Sequence, residues 1–294
     1  MCRKALELHN QDLAKAEKWL RAEAIKQGWE KAERVKSRNT GEGLVGIYTA
    51  PDRTHATMVE VKCETDFVAK NENFIELVTK LAERLSQQTM HQSADIRDTT
   101  VSINKLWIVD EKKLNEISGQ IITETISKLG ENIRFVRGCI IRIQKSENQS
   151  DNTPVLLPYT HSVAGKIDSK DSNVILGKYG TIIAIQKKQS SVEVKPSSST
   201  EEDMIGVVSS SSIEEVGSKL GQHIIGLSPL SILPPDSAES ADIENVNGDE
   251  EPTALMKQKF IFNDEITVEQ FLNNSQANIL DFVRFECGEE LQSN

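Results

Sequence analysis

Apolar positions along this chain recur first with a helical period, then with a period of two. In residues 1–40, Leu13, Ala16, Trp19 and Leu20 fall on one helical face. Asn10 or Asp12 can cap that helix, and Gly28 reads as its stop. Charged residues continue through Arg38 to a boundary at Asn39-Thr40-Gly41. From Leu44 the pattern alternates. Leu44 to Ala50 and Ala56 to Cys63 predict adjacent strands around a turn at Pro51-Asp52, with Val59, Val61 and Cys63 on one face and Glu60 and Lys62 on the other. Phe74, Leu77, Val78, Leu81 and Leu85 then mark an amphipathic helix over 72–87, expected to lie across that sheet. A second helix, about 111–129, offers Ile122, Ile126 and Leu129 to the core.

The second half follows the same plan loosely. Val136 to Ile143 is strand-like, and Val155 to His161 is expected to pair with it. Thr181 to Gln186 is a further strand, Glu214 to Ile225 a helix with Val216, Leu220 and Ile224 aligned, and Ile279 to Phe285 the final strand. Ile205 to Val208 is too short to assign. Ser190 to Thr200 and Ser209 to Ser212 read as loops. Two strand–strand–helix units in tandem imply a weak internal repeat. The fold class is α+β, with expected divisions at 1–40, 41–135 and 136–294.

Composition narrows the function. The 294 residues suit two or three modules. No apolar run approaches the roughly 18–20 residues of a membrane span, so no membrane partner is expected. A net charge of −11 argues against general binding of nucleic acid, which needs clustered Lys and Arg. Charge is uneven: residues 1–40 hold ten Lys or Arg against six acids, whereas 234–256 hold seven acids and no base. The latter stretch, with Pro234, Pro235, Ser237 and Ser240, reads as a flexible acidic loop over about 234–254. Cys2, Cys63, Cys139 and Cys287 lack C-x-x-C spacing and read as free thiols in a reducing compartment.

Local motifs of chemistry are absent. Gly41-Glu-Gly43-Leu-Val-Gly46 fits G-x-G-x-x-G, but it follows a basic helical segment and opens a strand. A dinucleotide site needs the reverse order, with a helix N-terminus facing the pyrophosphate. Gly177-Lys178 lacks the glycine five residues earlier that a P-loop requires. The five His are scattered, none at metal-ligand spacing. No nucleophile elbow or paired-carboxylate site is visible. No cofactor or metal is expected.

The most informative stretch is Thr65-Asp66-Phe67-Val68-Ala69-Lys70-Asn71, between a strand and a helix. A Phe at such a junction is most often a core residue. Here Asp66 precedes it, Lys70 to Asn73 follow, and the next helix has a complete apolar face without it. That context favours an exposed anchor of the kind that dominates a binding interface.

The run from Val59 to Asn71 (Val-Glu-Val-Lys-Cys-Glu-Thr-Asp-Phe-Val-Ala-Lys-Asn) resembles the signature of the elongation factor Ts family. Counterparts follow in order: Cys2 to Leu6, Trp19-Leu20-Arg21, Gly28 to Ala32 and Gly41 to Leu44 in the manner of the mitochondrial branch, then Leu129 to Ile133, Tyr159-Thr160-His161, Gln258 to Phe260, and Phe282 to Glu289. The resemblance covers nearly the whole chain. It implies a ubiquitin-associated-type helical domain followed by a core of two related sheet-plus-helix subdomains. Met1 stands directly before Cys2, where the resemblance expects a preceding helix and a mitochondrial targeting segment, which reads as either a shortened form or a misassigned start. Leu233 to Leu255 is too short and too acidic for the coiled-coil insertion of many bacterial members.

By the same resemblance, the function is guanine-nucleotide exchange on mitochondrial elongation factor Tu, GDP-bound or nucleotide-free, in the mitochondrial matrix. It is exerted by binding and without covalent chemistry. Phe67 is expected to insert between helices of the partner's G domain, with Thr65 and Asp66 beside it and Asp66 orienting the loop. Leu129, Gly130 and His161 are expected to form a second contact patch, and Arg3 aligns with a basic contact in the helical domain. For His161 the plainer reading, a polar residue ending a strand, stands alongside. Two other functions fit the residues less closely: a chaperone or scaffold that stabilises the GTPase without accelerating release, and a helical adaptor fused to an enzyme of unrecognised type.

Overall fold

The computed structural model describes residues 2–88, 102–144, 153–162, 173–188, 212–234 and 253–290. Helix α1 (Cys2–Leu8) is followed by the long α2 (Leu13–Val35), which Asp12 caps by accepting from the Lys15 amide. Strands β1 (Glu42–Thr49) and β2 (His55–Cys63) pair antiparallel, and α3 (Asp66–Ala69) leads into α4 (Glu72–Ser86). Next come β3 (Ser102–Ile108), α5 (Glu111–Ser118), α6 (Ile121–Leu129) and β4 (Arg134–Gln144). Strands β5 (Val155–His161), β6 (Val174–Gly177) and β7 (Tyr179–Lys187) precede α7 (Ile213–Leu227). The last elements are β8 (Lys259–Phe260), β9 (Asn263–Thr267), α8 (Val268–Asn274) and β10 (Ala277–Glu286).

These elements stack as helix, sheet, sheet and helix. One sheet has the order β3-β4-β2-β1-β6 and the other β10-β7-β5. Strand alternation sends Leu44, Val59, Val61 and Cys63 toward α4, α5 and α6, whose buried residues include Phe74, Leu77, Leu81, Leu114 and Ile126. The intervening positions Val45, Ile47, Ala56 and Met58 meet Leu156, Ile182, Ala184, Val283 and Phe285 of the second sheet. On the far side of that sheet, Ile183 and Ile185 pack against Val216, Leu220 and Ile224 of α7 and Val268 and Leu272 of α8. Central strands here are buried on both faces, which explains the unbroken apolar run Ile182 to Ile185.

Several expectations are corrected. Glu60 keeps its expected side of β2, opposite Val59 and Val61, but that side is an interior: Glu60 is fully buried because the second sheet covers it. It accepts from Arg137 Nε at 2.6 Å and from the Gly288 amide at 2.9 Å. The expected 111–129 helix is two helices, broken at Gly119, whose φ of 53° and ψ of −134° leave the helical region. Strand β5 pairs with β7, not β4. The division expected at 135/136 cuts β4, which hydrogen-bonds to β2 and β3. Gly28 lies inside α2 and does not end it. A Cβ there would sit 3.3 Å from Thr123 Cγ2 of α6, so the glycine permits close helix contact. Of the proposed N-terminal face only Ala16 is buried; Leu13 is 77% exposed. The edge strands β3 and β6, the β8–β9 hairpin and α8 carried too short or irregular a pattern to be anticipated. Ile205–Val208, Ser190–Thr200 and most of the acidic 234–254 stretch lie outside the described residues.

Candidate partner-binding surface

Phe67 is the most exposed large apolar side chain among the described residues, at 81%. Local chemistry explains why it points outward. Thr65 has extended backbone (φ −126°, ψ 155°) and caps α3, its hydroxyl oxygen accepting from the Val68 amide. Asn71 then caps α4. In the single turn between two caps, only one side can face the core. Val68 and Ala69 take it and join the first core, and Phe67 is left on the solvent side. The Asp66 carboxylate meets Lys70 Nζ at 2.9 Å, and that bond holds its carboxyl below the usual range.

Glu131 also bonds to the turn, at its first residue, Thr65. The Thr65 hydroxyl donates to Glu131 Oε1 at 2.7 Å, and the Thr65 amide donates to Oε2 at 3.1 Å. The Thr65 carbonyl accepts from the Ala69 amide at 3.1 Å and from Cys63 Sγ at 3.2 Å. Every polar atom of Thr65 is thus engaged inside the chain. Helix α6 ends at Gly130, whose φ of 80° turns the backbone so that Glu131 and Asn132 face the end of β2. Asn132 donates its amide to Glu64 Oε1 at 2.6 Å, and its side chain donates to the carbonyls of Lys36 and Arg38 at 3.2 and 2.8 Å. Lys31 of α2 donates to the Ser127 carbonyl at 2.7 Å. The end of α2, the end of α6 and the Phe67 turn therefore form one junction.

The remaining expected site residues divide between this junction and other places. Leu129 packs partly against the first core and, with Gly130, belongs to the junction. His161 does not. It ends β5 on the second sheet, exposed, with its ring 6.3 Å from that of Tyr179. It shares an open cleft with Tyr159, Ile261 and Phe262. Ile261 and Phe262, both about half exposed at the β8–β9 turn, escaped sequence reasoning; an apolar pair directly before Asn263-Asp264 was their available signal. Arg3 lies on the solvent face of α1, paired with Glu7 at 2.8 Å. Other exposed apolar residues are Leu8, Leu13 and Trp29 in the helical segment and Leu106, Trp107 and Val109 along β3 and just past its end.

Chemistry of other kinds has little to work with among the described residues. No group of three or more His, Cys, Asp or Glu is placed to hold a metal. Burial pushes the thiols of Cys63, Cys139 and Cys287 up to about 12. Of the glycines in G-x-G-x-x-G, Gly46 lies within β1, where a Cβ would come within 2.8 Å of Val78 Cγ1 of α4. No described helix is long and apolar enough to cross a membrane.

Comparison with known proteins places these features in context. The family described as Elongation factor TS matches residues 64–247 and 245–289, and that described as Elongation factor Ts, mitochondrial, N-terminal matches residues 1–30. The chain is similar to the mitochondrial elongation factor Ts of Branchiostoma floridae, 33% identical over 312 residues that cover 99% of this chain and 86% of that protein. The Xenopus laevis protein of the same name is 31% identical over 296 residues, covering 99% and 83%. The human one is 30% identical over 301 residues, covering 98% and 78%.

Proposed function

The chain belongs to the elongation factor Ts family, and from that premise we propose that it promotes GDP release from mitochondrial elongation factor Tu during translation elongation. The compartment proposed is the mitochondrial matrix, and the partner is engaged in its GDP-bound and nucleotide-free states. The observation that carries the mechanism is Phe67, a bulky aromatic held out of its own core on a turn anchored by the Thr65 cap and by Val68 and Ala69.

Exchange of this kind needs binding energy that favours a nucleotide-poor conformation of the partner. The coupling is reciprocal: whatever factor weakens GDP also weakens this chain on the GDP-bound partner. A thousand-fold weakening corresponds to ~4 kcal/mol, and burying one Phe contributes roughly 1.5–3 kcal/mol. Phe67 therefore supplies a large share and needs a second grip. In this reading Phe67 inserts into the partner's G domain and disturbs the groups around Mg²⁺ and the phosphates. Asp66 lies beside the contact and Thr65 holds the turn. His161, with its neighbouring aromatics, grips another part of the partner. Leu129, Gly130 and Arg3 extend the surface on the helical side. Residues 1–40 are read as a ubiquitin-associated-type module and the remainder as two related subdomains, with β4 kept in the sheet of the first.

The test is stopped-flow release of a fluorescent GDP analogue from mitochondrial elongation factor Tu, with binding checked by titration. Fast release with this chain and its collapse in Phe67→Ala supports the wedge. Fast release untouched by the substitution keeps exchange and removes the wedge. Tight binding without acceleration overturns exchange in favour of a stabilising scaffold.

A further inference from the structure

We infer that Glu131 is a positioning residue for exchange, acting on the partner only through Phe67; the inference rests on the exchange reading above. The geometry is specific. One carboxylate receives both the amide and the hydroxyl of Thr65. With its proton directed at Glu131, the hydroxyl offers a lone pair to the Val68 amide. The cap of α3 is thus set by a residue 66 positions away in sequence. Without it the Thr65 hydroxyl is free to rotate, and the amide at the mouth of a four-residue helix loses its acceptor. So short a helix cannot hold its own shape, because helix nucleation is unfavourable. Val68 and Ala69 anchor its inner side; Glu131 sets the direction in which Phe67 leaves it.

Two neighbouring observations sharpen the assignment. Gly130, in the left-handed region, is what turns Glu131 toward β2. Asn132 fastens the same segment to the Lys36 and Arg38 carbonyls. Glu131 therefore acts from a fixed base, as a positioning group must. Charge-assisted bonds of this type are the stronger kind, which suits them to holding an exposed aromatic before any partner arrives.

The experiment compares Glu131→Ala, Phe67→Ala and the double variant in GDP-analogue release at saturating concentrations of the factor. Thermal unfolding and NMR amide exchange of Thr65 and Val68 in the isolated chain accompany it. Glu131→Ala is expected to lower the maximal release rate roughly ten-fold and to speed exchange of the two amides by a similar factor. In the Phe67→Ala background the same substitution is expected to change release less than about two-fold, since the two act as one unit. Glu131→Gln, which keeps the shape and one acceptor, is expected to recover most of the rate. Losses that multiply in the double variant, or a folded Glu131→Ala chain with undiminished release, overturn the inference. If Glu131→Ala fails to fold, Thr65→Val removes the hydroxyl bond to Glu131 and the cap that depends on it, leaves the amide bond in place, and must give the same non-additive pattern with Phe67→Ala. If the unaltered chain does not accelerate release, the exchange reading fails by itself. Amide exchange then decides the brace: unchanged protection in Glu131→Ala overturns it.

Discussion

The Phe67 turn and the seam between the two sheets are built from the same residue types and put them to opposite uses. At the seam, Phe285 is fully buried, with the Arg137 guanidinium carbon 4.1 Å from its ring centroid. Glu60 holds Arg137 and the Gly288 amide, and Arg137 also reaches the Glu286 carbonyl and Glu289. Charge and aromatic are both inside, where they stabilise the native stack. At the turn, Glu131 grips only backbone and a hydroxyl, and the aromatic is outside. The contrast separates a carboxylate whose loss undoes the fold from one whose loss blunts a contact.

The largest expected effect lies at the seam. Glu60→Ala leaves Arg137 largely buried with one partner fewer, and is expected to cost about 3–5 kcal/mol in denaturant unfolding. Replacing both, as Glu60→Met with Arg137→Leu, should recover much of that loss, because a buried pair exchanged for packed apolar groups is often neutral. A double variant as unstable as the single one breaks the account of the seam. Next in size is Phe67→Ala. It should reduce GDP release by an amount corresponding to roughly 1.5–3 kcal/mol of lost burial against the partner, while the melting temperature of the isolated chain stays unchanged. A clear drop in stability would mean that Phe67 packs on its own core after all.

Much of this contrast was legible in sequence. The polar run around Phe67 and the complete apolar face of α4 pointed to exposure, and exposure is what the structure has. Period-two alternation placed β1 and β2 correctly. It put Glu60 on the right face but left the burial of that face open, because alternation says which residues share a face and not what covers that face. Only a second sheet, supplied by residues about a hundred or more positions later, makes that side an interior. Glu131 escaped for a related reason: its partner is 66 residues away, and no local pattern encodes a cap donated across the fold. Gly28 shows the converse limit. Its stop signal was overridden by tertiary packing, since α6 needs the space that a side chain would occupy. Accordingly Gly28→Ala should be nearly neutral, its better helix propensity offsetting a tight contact. Gly28→Leu should destabilise by about 1–3 kcal/mol as α2 is pushed from α6, read by thermal unfolding.

The smallest expected effect tests whether acid reaches the start of β2 before the turn. His55 opens β2 opposite Arg142, with its ring 6.2 Å from that of Tyr48. Burial, with Arg142 adding to it, depresses its pKa to about 4. The fold thus keeps the ring neutral at a pH where the unfolded chain, with an ordinary His, takes up a proton. The unfolded state binds more protons between about pH 6.5 and 4, so stability is level above that window and falls as pH drops through it. Below the folded value both states are charged and this contribution stops growing. Allowing for the partial exposure of His55, the loss should be about 1–2 kcal/mol. Denaturant midpoints at pH 7, 5.5 and 4.5, compared between the chain and His55→Gln, isolate it from the carboxylates common to both. A smaller acid loss in the variant assigns the sensitivity to His55. Equal losses would place it elsewhere.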